Sequence, residues 1–457
     1  MQLLLVHAPM LHITQLERLP TSTHLHIIYS YLRGRGVCVD VYDPIADIGV
    51  PGPDTAAYLR QIQLALKGRK FDIAGVSAWT SFQYLGSLAV GRLLRELNSD
   101  AILAVGGYHP SLVPSDYLPP QSDGPFDYIV RGAGERFLLG LCESPRRPNQ
   151  PEVVQGKAAP LDDVRLDWSY PYHQAGVFLS RGCPFACTYC SHRTADHESM
   201  SVERAVQECL AADAASRDGL FRIQDAIFGL DRTWRRQFLE ALGRHRLRAR
   251  PCLEVRADQL APDDAALLAP LRPVVYIGID AGSPNTLRLM NKTRAPEQYL
   301  RRFLEVLEAC DAHAVDYVPG VLLNHPGETA DTLRESVDFF WRLAWDGPSR
   351  HMLGLLPHMY AYLPGSPIDE LCASLARSCG ARIHHPGWWR QTCHDQRALS
   401  ESNTASTSLT PSHLEEQLNR LHIANFLLGP RRSALVEYFQ GRVAARQGAD
   451  ALGADSN

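Results

Sequence analysis

The sequence predicts two α/β domains in series followed by a mainly helical region, and three observations carry that prediction. Short apolar runs alternate with stretches of helical spacing over residues 1–142, the pattern of a doubly wound parallel sheet. A polar, proline-rich stretch beginning Glu143-Ser-Pro-Arg-Arg-Pro then opens a linker over 143–170, and about six further strand–helix repeats follow over 171–370. Residues 371–457 lose the alternation. They run from an aromatic and histidine-rich segment through a serine/threonine-rich stretch, Ser400 to Ser408, to amphipathic helices between Pro411 and Gln447. The tail after Gly448 is expected to be disordered.

In the first domain Leu3-Leu-Leu-Val reads as a buried strand. Leu25 to Leu32 has helical spacing and stops at Arg33-Gly34-Arg35-Gly36, a C-cap signal. Further strands are expected at Val37–Tyr42, Ile73–Val76, Ala101–Val105 and Tyr128–Val130, with helices at Tyr84–Leu97 and Glu135–Cys142. A sheet of this kind binds ligands beyond the carboxyl ends of its strands. In the second domain the strands are Val177–Leu179, Phe221–Asp225, Cys252–Arg256, Val274–Asp280, the run from Tyr317, and Met352–Leu356. Val202–Ala215, Thr233–Leu242 and Pro296–Ala312 read as the helices between them.

A length of 457 residues, 45% hydrophobic content and a net charge of −4 suit a soluble globular enzyme and suggest no nucleic-acid partner. Eleven scattered cysteines, an odd number, do not form a disulfide framework. No uncharged apolar run approaches membrane-spanning length, and the opening Met1-Gln-Leu-Leu-Leu-Val lacks the basic start of a signal peptide. The expectation is a cytoplasmic monomer without a membrane partner.

The chemistry concentrates in Ser180-Arg-Gly-Cys183-Pro-Phe-Ala-Cys187-Thr-Tyr-Cys190, three thiols within eight residues. Three cysteines leave one iron of an iron–sulfur cube open, since such a cube normally takes four. A zinc site completed by His192, or three core cysteines, would also account for the residues. The run C-x3-C-x2-C resembles the radical S-adenosylmethionine (SAM) superfamily. In that family a [4Fe–4S] cluster on the three cysteines holds SAM on its free iron, and a flavodoxin- or ferredoxin-type donor supplies the electron.

The first domain adds a second resemblance. Ser77-Ala-Trp79 ends the third strand and Gly106-Gly107 the fourth, with 26 residues (80 to 105) between them. This is similar to the S-x-L…G-G pair of cobalamin-binding domains that precede radical SAM barrels, with Trp79 in place of leucine. Gly106-Gly-Tyr-His-Pro and Arg131-Gly-Ala-Gly-Glu135 are similar to recurrent segments of the same domains. The resemblance implies cobalamin contacts at Ser77, Trp79, Thr80, Gly106, Gly107, Tyr108, Gly132 and Glu135. The glycines would admit a flat ring closely. The cobalt-ligating D-x-H-x-x-G loop of the family is missing; Leu19 to His26 stands in its place, and no histidine from the usual motif is expected on cobalt.

For the second domain the resemblance implies a partial (β/α)6 TIM-type barrel. SAM contacts would fall at Tyr189, Gln224, Asp225, Glu254, Arg256, Asp280 and Ser283. Asp280-Ala-Gly-Ser283 stands where the family often shows Glu-Ser-Gly-Ser, and Asn324-His-Pro-Gly-Glu328-Thr is similar to its G-x-P-G-E-T turn. Arg256 could bind the SAM carboxylate through its fork, although Glu254 and Arg256 could equally form an ion pair in the barrel wall. Trp388-Trp389-Arg390 could close over a substrate or pack a third domain on the barrel.

Together the resemblances imply a methyltransferase that uses SAM, a [4Fe–4S] cluster and methylcobalamin on a small-molecule or peptide substrate. Electron transfer to SAM would release a 5′-deoxyadenosyl radical that takes a hydrogen from the substrate before methylation. A ring rearrangement or cyclisation on the same cofactors, a radical SAM enzyme with a vestigial first domain, and a non-enzymatic metal-binding protein are the competing readings. The substrate is not readable.

Overall fold

Five short, largely apolar segments and one half-covered edge strand pair in one parallel sheet. In the computed structural model, which describes residues 1–13, 23–52, 54–192, 196–401 and 409–428, these are β1 (Gln2–His7), β2 (Cys38–Tyr42), β3 (Ile73–Ser77), β4 (Ile102–Gly106), β5 (Tyr128–Arg131) and β6 (Glu152–Gln155). Their order is β2-β1-β3-β4-β5-β6, every pair parallel, so helical crossovers connect them. The central strands are buried, as in β3 and in Leu3 to Val6 of β1, which are 0–1% exposed.

β6 lies inside the segment read as a linker. It was illegible because its alternation of Glu152, Val153, Val154 and Gln155 is that of a half-covered edge strand rather than an apolar run.

The second sheet follows the same logic. Its members are β7 (Gly176–Val177), β10 (Leu220–Ile223), β11 (Arg250–Arg256), β12 (Val274–Asp280), β13 (Asp316–Leu323) and β14 (Leu356–Met359), in the order β14-β13-β12-β11-β10-β7 and all parallel. A two-stranded antiparallel pair, β8 (Ser180–Arg181) with β9 (Glu198–Ser199), sits beside β7. The partial six-stranded barrel sheet is therefore present.

Its last strand begins where the expected one ends. Met352 makes only an isolated bridge to Tyr317, and the ladder starts at Leu356. The apolar run Met352–Leu356 marks burial in the floor of the sheet, where Leu353 and Leu356 pack with Cys252, Val274 and Val318, rather than ladder pairing.

The described residues of 1–174, 363–365 and 385–400 form one compact unit, and those of 175–362, 366–384 and 401–457 another. The segment containing Trp388-Trp389-Arg390 therefore belongs with the first sheet. Trp389 Nε1 donates to Asp116 Oδ2 at 2.6 Å, the Arg390 guanidinium forms an ion pair with the same carboxylate, and Trp388 packs on Phe82 with ring centroids 4.4 Å apart. Of the helices expected between Pro411 and Gln447, one is described, Pro411–Leu427; the rest, with Ser402–Ser408 and the tail, fall outside the described residues. No helix among the described residues is long and apolar enough to cross a membrane.

Candidate functional site

Gly182 turns the chain out of β8 into the cysteine loop with φ +85°, a left-handed conformation that glycine adopts without a Cβ clash. The approach to that turn is pinned by Asp225, just past β10. It accepts from the amides of Leu179 at 2.7 Å and Ser180 at 3.1 Å and from the Ser180 hydroxyl at 2.7 Å. Burial pushes the Asp225 carboxyl up to about 7, with these donors pulling the other way.

The far side of the loop is held by the segment after β12. The Thr188 amide donates to Met290 O at 3.0 Å, and the Asn291 side-chain amide to Ala186 O at 2.9 Å. Thr188 Oγ1 also reaches His325 Nε2 at 2.7 Å, while His325 Nδ1 faces Pro326 O at 2.9 Å. Nδ1 therefore carries the proton and Nε2 accepts; burial keeps the ring neutral, with a pKa lowered to about 4.

A charged group lies against the cysteines. Tyr189 donates to Asp280 Oδ2 at 2.6 Å, Asp280 forms an ion pair with the buried Lys292, and Lys292 Nζ lies 3.3 Å from the Tyr189 hydroxyl. Asp280 holds φ +67° at an irregularity where β12 leaves β13, an unusual conformation for a non-glycine residue and one that clusters at functional sites. Arg256, at the end of β11, sends Nη1 to Cys187 Sγ at 3.6 Å.

Burial raises the pKa of Cys183 and raises that of Cys190 to about 11; the neighbouring thiols add to the rise and Lys292 opposes it. Among the described residues no group of three or more His, Cys, Asp or Glu side chains stands close enough to hold a bare metal ion. The donor chemistry nonetheless fits an iron–sulfur cluster: three thiols on one short loop, with Arg256 and Lys292 supplying positive charge beside the thiolates.

The residues expected to meet SAM divide by what the structure does with them. Tyr189, Arg256 and Asp280 gather at the cysteine loop. Glu254 shares the alternating face of β11 with Arg256 and takes no hydrogen bond or ion pair through its carboxylate among the described residues; Gln224 follows the end of β10. Asp225 and Ser283 hydrogen-bond within the chain. The Ser283 hydroxyl is buried and donates to Glu335 Oε2 at 2.6 Å.

The fork of Arg256 is engaged by Asp258 at 2.9 and 3.1 Å, so the ion-pair partner is Asp258 rather than the Glu254 that was expected. Lys292, Asp258 and Asn291 were missed. Nothing in the local run Leu289-Met-Asn-Lys292 marks Lys292 as buried.

In the first unit all eight cobalamin candidates stand at the carboxyl edge of β3, β4 and β5. Ser77 and Gly106 are direct partners across β3 and β4, Trp79 and Thr80 follow Ser77, Gly107 and Tyr108 follow Gly106, and Gly132 and Glu135 follow β5. His24 Nε2 bonds the Ser77 hydroxyl at 2.7 Å, and the His24 ring stacks on Trp79 at 4.4 Å.

Gly107 is required by the chain itself. At φ +115° a Cβ there would stand 2.6 Å from the carbonyl carbon of Ala78 and 3.0 Å from the Trp79 nitrogen. At Gly106 the nearest atom to a Cβ is 3.7 Å away, on Val130, so that strand end has room for a ligand.

Reasoning from sequence missed a buried relay at this edge. Asp43 Oδ2 lies 3.0 Å from His7 Nδ1, and His7 Nε2 lies 2.8 Å from Gln83 Nε2. Its members lie far apart in the chain and match no motif.

Two family models match the chain, "B12 binding domain" over residues 20–141 and "Radical SAM superfamily" over 177–340. The chain belongs to the cobalamin-dependent radical SAM superfamily. Its cofactors are accordingly a [4Fe–4S] cluster, SAM and cobalamin.

Among solved structures, this radical SAM chain resembles TsrM from Kitasatospora setae, a radical SAM methyltransferase with tryptophan and a SAM analogue bound. The TM-score is 0.68 at 17% identity, over 93% of this chain and 88% of that one. OxsB, a cobalamin-dependent SAM radical enzyme, matches with a TM-score of 0.63 at 15% identity, over 96% and 75% of the two chains. At these identities the likeness is one of fold.

Among curated relatives, the anaerobic magnesium-protoporphyrin IX monomethyl ester cyclase of Rubrivivax gelatinosus is 24% identical over 60% of this chain and 55% of its own length. An uncharacterized methyltransferase of Pyrococcus horikoshii is 23% identical over 61% and 66%. The chain thus spans between half and two thirds of these relatives.

Proposed function

We propose that this chain is a cobalamin-dependent radical SAM methyltransferase acting on a small-molecule or peptide substrate. The observation that carries the reading is the pairing of a clamped three-thiol loop in one unit with a ligand-ready sheet edge, Ser77 beside Gly106, in the other. The methyltransferase neighbours of the same fold support it. When bound, the cluster supplies an electron to SAM, and cobalamin a methyl group for transfer.

The chain's own residues bind and orient. Cys183, Cys187 and Cys190 would hold the cluster. Tyr189, locked by Asp280 and Lys292, fixes the loop before the last cysteine. Glu254, with Gln224 just past the end of β10, would meet SAM or substrate. Glu254, whose side chain is exposed on β11, would accept a hydrogen bond from a cationic or N–H group. Ser77, Gly106, Tyr108 and Gly132 would line the cobalamin side. An electron donor of flavodoxin or ferredoxin type would complete the system.

A second reading, cyclisation without methyl transfer, draws on the relatives named as cyclases. Anaerobic reconstitution with iron, sulfide and cobalamin, followed by reduction with SAM, separates the two. A methyltransferase yields S-adenosylhomocysteine in step with bound corrinoid, whereas 5′-deoxyadenosine without S-adenosylhomocysteine favours the cyclase reading and overturns ours.

A further inference from the structure

We infer that Arg256 sets the reduction potential of the iron–sulfur cluster by donating a hydrogen bond from Nη1 to the sulfur of Cys187. The inference rests on the reading that Cys183, Cys187 and Cys190 hold that cluster. Arg256 is 8% exposed and held on several sides at once. Nε and Nη2 form the two-pronged contact with Asp258 at 2.9 and 3.1 Å, and Nη2 also donates to Lys292 O at 2.6 Å. The guanidinium carbon stands over the ring of Phe185, within the cysteine loop, 3.8 Å from its centroid.

These contacts engage Nε and Nη2 with oxygen and leave Nη1 aimed at Cys187 Sγ, 3.6 Å away. Cys187 is also the most buried of the three thiols, so water competes little for its sulfur. A guanidinium is charged at every accessible pH, so the donor is permanent.

Hydrogen bonds to ligand sulfurs and nearby positive charge both favour the more negative, reduced cluster. Arg256 therefore makes the cluster easier to reduce, acting through Cys187 as a positioning residue rather than touching SAM. Lysine could keep the charge but could not hold Asp258, the Lys292 carbonyl and the sulfur together.

The test is a redox titration of the reconstituted full chain without SAM, followed by electron paramagnetic resonance of the reduced cluster. Arg256→Gln should lower the ratio of reduced to oxidised cluster at a fixed potential about tenfold, equivalent to a midpoint lower by about 59 mV for one electron. Arg256→Lys should fall between that value and the unaltered protein. Arg236→Gln, the same change of charge on the surface helix Arg232–Leu242, should leave the midpoint where it was.

An Arg256→Gln protein with full iron and sulfide and an unmoved midpoint overturns the inference, as does an equal shift in Arg236→Gln. If Arg256→Gln takes up no cluster, Arg256→Lys decides: a midpoint identical to the unaltered protein overturns it. Absence of a [4Fe–4S] signal from the unaltered protein overturns the cluster reading itself, and this inference with it.

Discussion

At Asp225 a single carboxylate ties two strands to the cysteine loop, and its environment makes the tie sensitive to pH. Its pKa rises from 3.8 to about 7 on folding because it is buried. The folded chain thus holds a proton there that the unfolded chain releases, and this contribution to stability is present below about pH 4 and lost as pH rises towards 7. Over that window the loss is on the order of a few kcal/mol. Asp225→Asn keeps an acceptor for the Leu179 and Ser180 amides and removes the charge. Thermal unfolding of that variant between pH 4 and 7 should therefore depend less on pH than that of the parent; equal slopes would contradict the assignment.

Gly107 makes a second test at the same scale. Alanine there meets the Ala78 backbone at a positive φ, so Gly107→Ala should destabilise the first unit by about 1–3 kcal/mol in denaturant unfolding. Gly106→Ala should fold normally, and Gly106→Trp should block corrinoid uptake while leaving iron content unchanged. Retained corrinoid binding in Gly106→Trp would displace the proposed site.

At the scale of elements, the motif residues were legible and their supports were not. The cysteine spacing, Ser77 and the strand ends could be read because each sits in a short, contiguous pattern. The clamps on the cysteine loop come from Met290, Asn291 and His325, brought in by tertiary folding from more than 100 residues away. No local signal records such a contact. Nor does composition distinguish Arg256 held by Asp258 from Arg256 free to bind a ligand.

The segment around Trp388 is the clearest case: its aromatic residues announced packing, but not against what. Asp116 answers that. Burial alone would raise its pKa, and hydrogen bonds from His109, Arg390 and Trp389 outweigh that and hold it below the usual carboxylate range. Asp116→Ala would strand these donors around a void, costing about 3–5 kcal/mol as in the breaking of a buried ion pair. Limited proteolysis should then cut within residues 385–400 well before the parent is cut there. Unchanged protection would mean that the segment is held by its aromatic packing alone.

At the scale of the whole molecule, two parallel sheets in series follow from two sets of apolar runs. The order of domains was readable because each carries a sheet-edge motif of its own. The linker and the C-terminal region were read less well, since β6 lacks an apolar run and residues 385–400 return to the first unit. Family membership supplies the cofactors, whereas no contiguous pattern in the chain marks a substrate.

The account stands on two units that load two cofactors separately, and the most direct measurement counts both on one variant. Unaltered protein and Cys183→Ala are reconstituted anaerobically, and iron, acid-labile sulfide and corrinoid absorption are determined for each. The predicted result is loss of the [4Fe–4S] cluster in Cys183→Ala with corrinoid retained at the level of the unaltered protein. Full iron in Cys183→Ala, with loss of iron in Cys252→Ala instead, would contradict it.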